Sequence, residues 1–354
     1  MKNGVVEFFR FYFALMVLLH HCVKHFIGGD AHYFYGGYFA VSFFFILSGY
    51  LMANSVWKQT LGKDLAEIKK ISLSEQAEST FNFIKRKIVT IFPTHVIAWT
   101  LALVVALAVN WHGISFCKKF ILQAIPSFFF ISKQIGFKVP VILGVEWYLI
   151  SMFIAMAILY PLLRYSWVGF VKYMAPIGSV LLLGYIFHKS GNGFSGFGEV
   201  LTWDGFIPKG VLRALADIML GVLVFELSRY KIPEAYKKYI TLLGIVSLVC
   251  LNYIMIRNLG DKYAATGLML SCLLVYCAFG GYFNIGSLFD KRCFGYLGAL
   301  SLPLFLIHQP IIQVVKKISD ASNFVNCLFV LFISLLLSIV ILRFTGSSNY
   351  SKAK

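Results

Sequence analysis

Charge is what this sequence has least of. Asp, Glu, Lys and Arg make up 13% of its 354 residues, against about 25% in soluble domains. With 59% of the residues hydrophobic, a chain of this size has no way of hiding its apolar surface from water. A soluble fold is excluded, and lipid is the solvent that fits. Acidic residues are scarcer still, 15 against 32 basic ones, for a net charge of +17. No basic helix, aromatic platform or zinc pattern accompanies that charge, so nucleic acid is not the expected partner; topology and anionic lipid headgroups account for it. The seven cysteines include no Cys-x-x-Cys, and Cys22, Cys250, Cys272, Cys277 and Cys327 sit inside apolar runs. They read as small buried hydrophobes, and a disulfide framework is not expected. A cleavable signal is not expected either: the first apolar stretch is long, carries Arg10, His20 and His21, and has no small-residue cleavage site after it. Neither an internal repeat nor a separate soluble domain is visible.

What is present is a series of long apolar runs. A helix needs about 20 apolar residues to cross the hydrocarbon, and ten stretches qualify: 5–25, 34–54, 88–110, 146–163, 173–188, 210–227, 239–256, 263–282, 295–315 and 324–344. The stretch 119–136 is apolar but interrupted by Pro126, Lys133 and Gly136, and reads as interfacial or re-entrant. The sequence thus predicts an all-α membrane protein, about ten transmembrane helices in one bundle. The membrane domain covers 1–345, with a short tail at 346–354. If the N-terminus starts inside, inner segments hold about nineteen Lys and Arg residues and outer segments about ten, which places both termini in the cytoplasm. Residues 55–87 then form a cytoplasmic loop. Residues 189–209, with five glycines between Gly191 and Gly205, form a flexible outer loop.

Ionisable groups inside the hydrocarbon are costly and point to function. Arg10 lies about 8 Å into the first helix from its inner end, and His21 about 16 Å further out. Eleven residues are nearly a whole number of turns, so the two share a face, while His20 points about 100° away. The bland alternative is a snorkelling arginine and an interfacial histidine. His308, in Ile307-His308-Gln309-Pro310, lies about 20 Å up the ninth helix, at the depth of His21. Both rings can line one cavity, where a neutral imidazole accepts a hydroxyl proton; a packing hydrogen bond beside Pro310 is the alternative for His308. Arg213 and Asp217 are four apart and can pair on one face, or touch substrate. Glu146 precedes Trp147 and Tyr148, whose rings equally suit an interface anchor. Lys85, Arg86 and Lys87 read either as a positive-inside stop or as a site for an anionic cofactor. Ser48 and Gly49 offer close approach to a ligand or to a neighbouring helix. His25, His32, His95, His112 and His188 fall near expected interfaces and read as solvated.

At these residues the chain resembles the acyltransferase 3 family of membrane O-acyltransferases. The matching stretches are Phe8-Phe9-Arg10 with His21, Phe43 through Leu51 around Ser48-Gly49, and Phe83-Ile84-Lys85-Arg86-Lys87 running into Ile91-Phe92-Pro93. Further on come Glu146-Trp147-Tyr148-Leu149 leading to Tyr160-Pro161-Leu162-Leu163, Leu220-Gly221, and Leu297 through Ser301 leading to Leu306-Ile307-His308. The resemblance implies ten or so membrane helices, an acyl-CoA donor on the cytoplasmic side and an acceptor hydroxyl on the outer side. It assigns the family's first-helix arginine and histidine to Arg10 and His21. Where the family often has two arginines three apart, this chain has Lys87 and Thr90. Some members carry an additional extracytoplasmic domain; this chain is expected to be the membrane module alone.

The resulting expectation is a cytoplasmic (inner) membrane O-acyltransferase, moving acetyl from acetyl-CoA to a hydroxyl of a surface polysaccharide or its lipid-linked precursor. It would work beside envelope polysaccharide biosynthesis proteins. Lys85, Arg86, Lys87 and Arg10 would hold the donor, Ser48 and Gly49 would give it room, His21 would take the proton or carry the acyl group, and His308 would assist. No metal is expected, because the histidines lack ligand spacing. Two other readings stay open. A transporter or flippase for lipid-linked sugars or small polar metabolites would show inverted repeats and broken helices. A lipid-phosphate glycosyltransferase would be expected to carry acidic residues in the first outer loop, where 26–33 offers only Asp30.

Overall fold

The structure is a computed structural model that describes residues 3–27, 33–34, 36–60, 72–131, 136, 139–189, 203–205, 207–230, 232–257, 259, 262–283, 289, 292–319 and 322–345. These residues form eleven helices: α1 Gly4–Phe26, α2 Tyr38–Thr60, α3 Leu73–Val109, α4 Ile114–Phe128, α5 Glu146–Tyr165, α6 Trp167–Lys189, α7 Lys209–Ser228, α8 Glu234–Ile256, α9 Ala264–Phe279, α10 Arg292–Ile318 and α11 Asn323–Phe344. A hairpin of two-residue strands, Trp203–Asp204 and Ile207–Pro208, precedes α7. The chain is an all-α membrane protein. Eight of the described helices are long and apolar enough to span. Of the ten expected, α9 has only 16 residues, and α7 carries Lys209, Arg213, Asp217 and Glu226 within 20.

One expectation needs correction. Residues 55–87 are mostly helix: α2 runs on to Thr60 and α3 begins at Leu73, so Lys85, Arg86 and Lys87 lie on a continuous helix and only 61–71 falls outside the described residues. The reason is local. Ser72 accepts from the Glu75 amide at 3.2 Å while the Glu75 carboxylate accepts from the Ser72 amide at 3.0 Å, a reciprocal cap that starts a helix in polar sequence. At 37 residues, α3 is about 55 Å long, well beyond a hydrocarbon core of about 30 Å. Its polar part is pinned to α5: Phe83 stacks on Tyr160 at 4.2 Å between centroids, and the Gln76 amide donates to the Pro161 carbonyl. In the stretch 119–136, helix α4 covers Ile114–Phe128 and ends in a turn with Phe130 at φ 60°. Its 15 residues fall short of the length of a span. Residues 132–135, most of 189–209, His32 and the tail 346–354 lie outside the described residues.

The centre of the bundle is α1, α2, α5, α7 and α10, each burying a broad apolar face; α6, α8 and α11 expose long apolar stretches to the surroundings. α1 packs most extensively on α10, and α2 on α7. The α2–α7 crossing is made by two glycines. A Cβ at Gly49 would overlap the Ile218 carbonyl oxygen, and one at Gly221 would overlap the Ile46 carbonyl oxygen and press on the Gly49 Cα. Side-chain-free positions bring the backbones into contact, the usual device for helix association in lipid.

Candidate active site

The site begins where α1 and α10 lie side by side. Asn3 caps α1, accepting from the Val5 and Val6 amides at 3.1 and 3.2 Å, and its amide donates to the Ala278 carbonyl at 2.7 Å. One turn on, Glu7 pairs with Arg10 at 2.8 Å. Glu7 in turn lies against Gly298 of α10, where a Cβ would strike its carboxylate. Arg10 is therefore positioned by a partner that the sequence signalled only by i,i+3 spacing.

Arg10 and Glu7 face a cavity of about 410 Å³ between α1, α2, α3, α5 and α10, mostly apolar but fringed by Ser48, Lys87 and Ser301. The Ser48 and Tyr148 hydroxyls converge on the Met152 sulfur at 3.4 and 3.8 Å. A second, wider hollow of about 610 Å³ adjoins it, sharing Leu51, Lys87 and Ile91, and adds Lys58, Arg86 and Thr90. The two make a funnel with a basic mouth and an apolar throat, with half-buried Lys87 at the junction. A ligand with phosphates at one end and an apolar or thioester-bearing arm at the other fits this gradient of polarity.

Not every predicted residue meets this funnel. Lys85 borders neither hollow and lies 5.9 Å over the Phe81 ring. Gly49 turns the other way, into the α2–α7 crossing. Gly49→Ala is thus expected to lower thermal stability by about 1–3 kcal/mol, the cost of overpacking, with little change in ligand affinity; melting and binding curves on the same detergent preparation check it. Trp147 packs at 6.2 Å on Phe45. Arg213 and Asp217 are buried on α7, the guanidinium donating to the Tyr38 carbonyl at 2.6 Å and the Ser42 hydroxyl at 2.8 Å, with the carboxylate 3.7 Å from its Nε. They bind α7 to α2, away from the cavity.

The histidines meet at the other end of α1. The rings of His21 and His308 lie 5.1 Å apart at 32°, and His308 is fully buried. Its Nδ1 lies 3.2 Å from the Leu304 carbonyl, a contact that assigns the proton to Nδ1 and leaves a lone pair on Nε2. Nε2 of His308 and Nδ1 of His21 are buried without a hydrogen-bond partner, an expensive arrangement unless chemistry uses them. His20 turns toward Gly37 at the start of α2. Among the described residues no group of three or more His, Cys, Asp or Glu is placed to hold a metal ion.

Sequence reasoning missed a third feature. His95 is not solvated; it is fully buried, its Nε2 3.2 Å from the Phe128 carbonyl and 4.0 Å from Glu146, and its ring stacks on Phe130 at 4.2 Å. Tyr148, read as an interface anchor, is buried and faces the cavity. The clue for Tyr148 was its place two residues after Glu146; for His95 no local pattern existed.

The acyltransferase 3 family model, described as an acyltransferase domain, matches residues 3–343, nearly the whole chain. No curated protein and no solved structure matches the chain significantly. A polytopic helical bundle with that match from first helix to last belongs to the acyltransferase 3 family and is a membrane acyltransferase.

Proposed function

We propose that the protein transfers an acyl group, acetyl in the first instance, from cytoplasmic acyl-CoA to a hydroxyl of a cell-envelope or surface polysaccharide or its lipid-linked precursor. The observation that carries this reading is the funnel, whose basic mouth leads to an apolar cavity lined at its far end by Phe305, the ring that meets His308 of the histidine pair. Arg86, Lys87 and Lys58 suit the nucleotide phosphates. Arg10, held by Glu7, is poised deeper, near the thioester. In this reading the mouth faces the cytoplasm, the membrane is the cytoplasmic one and the histidines lie toward the outside, consistent with the distribution of basic residues.

The chemistry needs one base. The acceptor hydroxyl attacks the thioester carbonyl carbon, the C–S bond breaks, and the hydroxyl proton passes to the His21 imidazole and on to the departing thiolate. An acyl-histidine formed first and then attacked by the hydroxyl satisfies the same balance. His308, fixed by the Leu304 carbonyl, orients or relays.

Incubating membranes that contain the protein with labelled acetyl-CoA tests the reading. Label on glycan supports it; sugar moved across the membrane without label would replace it with transport. Within the reading, Lys87→Ala is expected to raise KM for acyl-CoA about tenfold or more, since hydrogen bonds to charged groups contribute about 1.5–3 kcal/mol. Lys85→Ala, outside the funnel, should change it little. An unchanged KM in both correctly inserted variants, measured by donor titration, would reduce the cluster to a topology signal.

A further inference from the structure

The cavity ends at a single layer of aromatic rings. Phe44 of α2, Tyr148 of α5 and Phe305 of α10 all line it. They touch pairwise, with centroids 6.1 Å apart for Phe44–Tyr148, 6.3 Å for Phe44–Phe305 and 5.4 Å for Tyr148–Phe305. Behind them stands the histidine pair: the Phe305 ring meets the His308 imidazole edge-on at 6.3 Å, three residues further along α10. On α1, among the described residues, the cavity reaches no further than Arg10, although His21 lies about 16 Å on. The Phe305 ring therefore stands between the throat of the funnel and His308.

We infer that this ring layer is the acyl-end wall of the donor cavity and sets the length of acyl chain the protein accepts, with Phe305 as the measuring residue. The inference rests on the reading of the funnel as the donor site. Its physical basis is packing. Phe305 is 5% exposed and Tyr148 8%, and each ring is held by neighbours from a different helix. Interiors packed in this way do not yield to an extra methylene without cost. An acetyl group projects one methyl beyond its carbonyl, while butyryl and hexanoyl project further and must displace a ring. One methylene in an apolar pocket discriminates by roughly 10–200-fold. Phe305 is the ring that both closes the cavity and abuts His308, so deleting it opens space along the line an elongating chain would follow. A void of that kind, walled mostly by the Phe44 and Tyr148 rings, takes up apolar ligands.

The experiment is equilibrium binding of acetyl-, butyryl- and hexanoyl-CoA to the purified full-length protein in nanodiscs. The quantity read is the ratio of hexanoyl-CoA to acetyl-CoA affinity. The native protein is expected to favour acetyl-CoA by about tenfold or more, and Phe305→Ala to raise the ratio by roughly 10–100-fold. Should Phe305→Ala fail to fold, Phe305→Leu carries the same test with a smaller expected shift. Phe13→Leu is the control, since Phe13 is fully buried and stacked on Phe43 at 4.1 Å but does not line the cavity; its ratio should stay at the native value. The wall is overturned if the native protein binds hexanoyl-CoA as well as acetyl-CoA, if the folded Phe305 variants keep the native ratio, or if Phe13→Leu shifts it equally. Absence of binding by the native protein to any of the three would instead refute the donor reading itself, and this inference with it.

Discussion

His21→Ala is expected to cut acyl transfer by about 10²–10⁴-fold, the usual cost of removing a general base, while leaving a folded, membrane-inserted protein. The expectation follows from placement. His21 lies on the face of α1 that packs against α10, 5.1 Å from His308, and its Nδ1 is buried with no hydrogen-bond partner to lose. His20 serves as the internal control one residue away, because its side chain is directed to Gly37 and the start of α2. His20→Ala should keep most of the activity. His308→Ala should also lower turnover, by less than His21→Ala if its role is orientation. The measurement is glycan acetylation by mass spectrometry in cells expressing each variant at matched levels. Near-normal acetylation by His21→Ala with loss in His20→Ala would mean that the other face of α1 carries the chemistry. Retention by both would discard the histidine mechanism.

Asp217→Ala is expected to destabilise the protein by about 3–5 kcal/mol, because it leaves the Arg213 guanidinium buried without its counter-charge. Both groups are almost completely buried, and Arg213 is already committed to the Tyr38 carbonyl and the Ser42 hydroxyl. Replacing the pair together, Arg213→Met with Asp217→Leu, removes both charges and should recover most of the loss, as buried ion pairs exchanged for packed apolar groups commonly do. Thermal melting and monodispersity in detergent report the two outcomes. If Asp217→Ala melts like the native protein yet loses acyl transfer, the pair serves the substrate instead.

The helices were legible because a membrane imposes a length: a run of about 20 apolar residues is a direct physical signal. The polar start of α3 carried no such signal, and only Ser72 and Glu75, at capping-box spacing, announced it. Within the site, residues on one helix were legible through periodicity. Arg10 and His21 share a face by arithmetic, and Arg213 reaches Asp217 across one turn. Partnerships between distant segments were not legible. His95 and Glu146 are 51 positions apart in the chain and meet only because α3 and α5 pack together. Gly49 was ambiguous for a related reason: a missing side chain admits a ligand or another backbone equally well, and only the position of α7 decides. The ring layer of Phe44, Tyr148 and Phe305 was hidden among 35 phenylalanines, where composition offers no contrast.

The glycine crossing of α2 and α7 bears on how this molecule can move. Where backbones touch at Gly49 and Gly221, one helix cannot slide along the other without driving carbonyl oxygens into Cα atoms, and close-packed contacts of this kind switch between discrete arrangements instead of deforming gradually. The two helices therefore travel as one rigid rod pair, reinforced by the Arg213 hydrogen bonds across the same seam. Since α2 supplies Ser48 and Phe44 to the cavity, that wall of the cavity shifts only together with α7. A displacement that lets two substrates meet either carries α2 and α7 as one body against the other cavity helices or comes from single side chains turning in place.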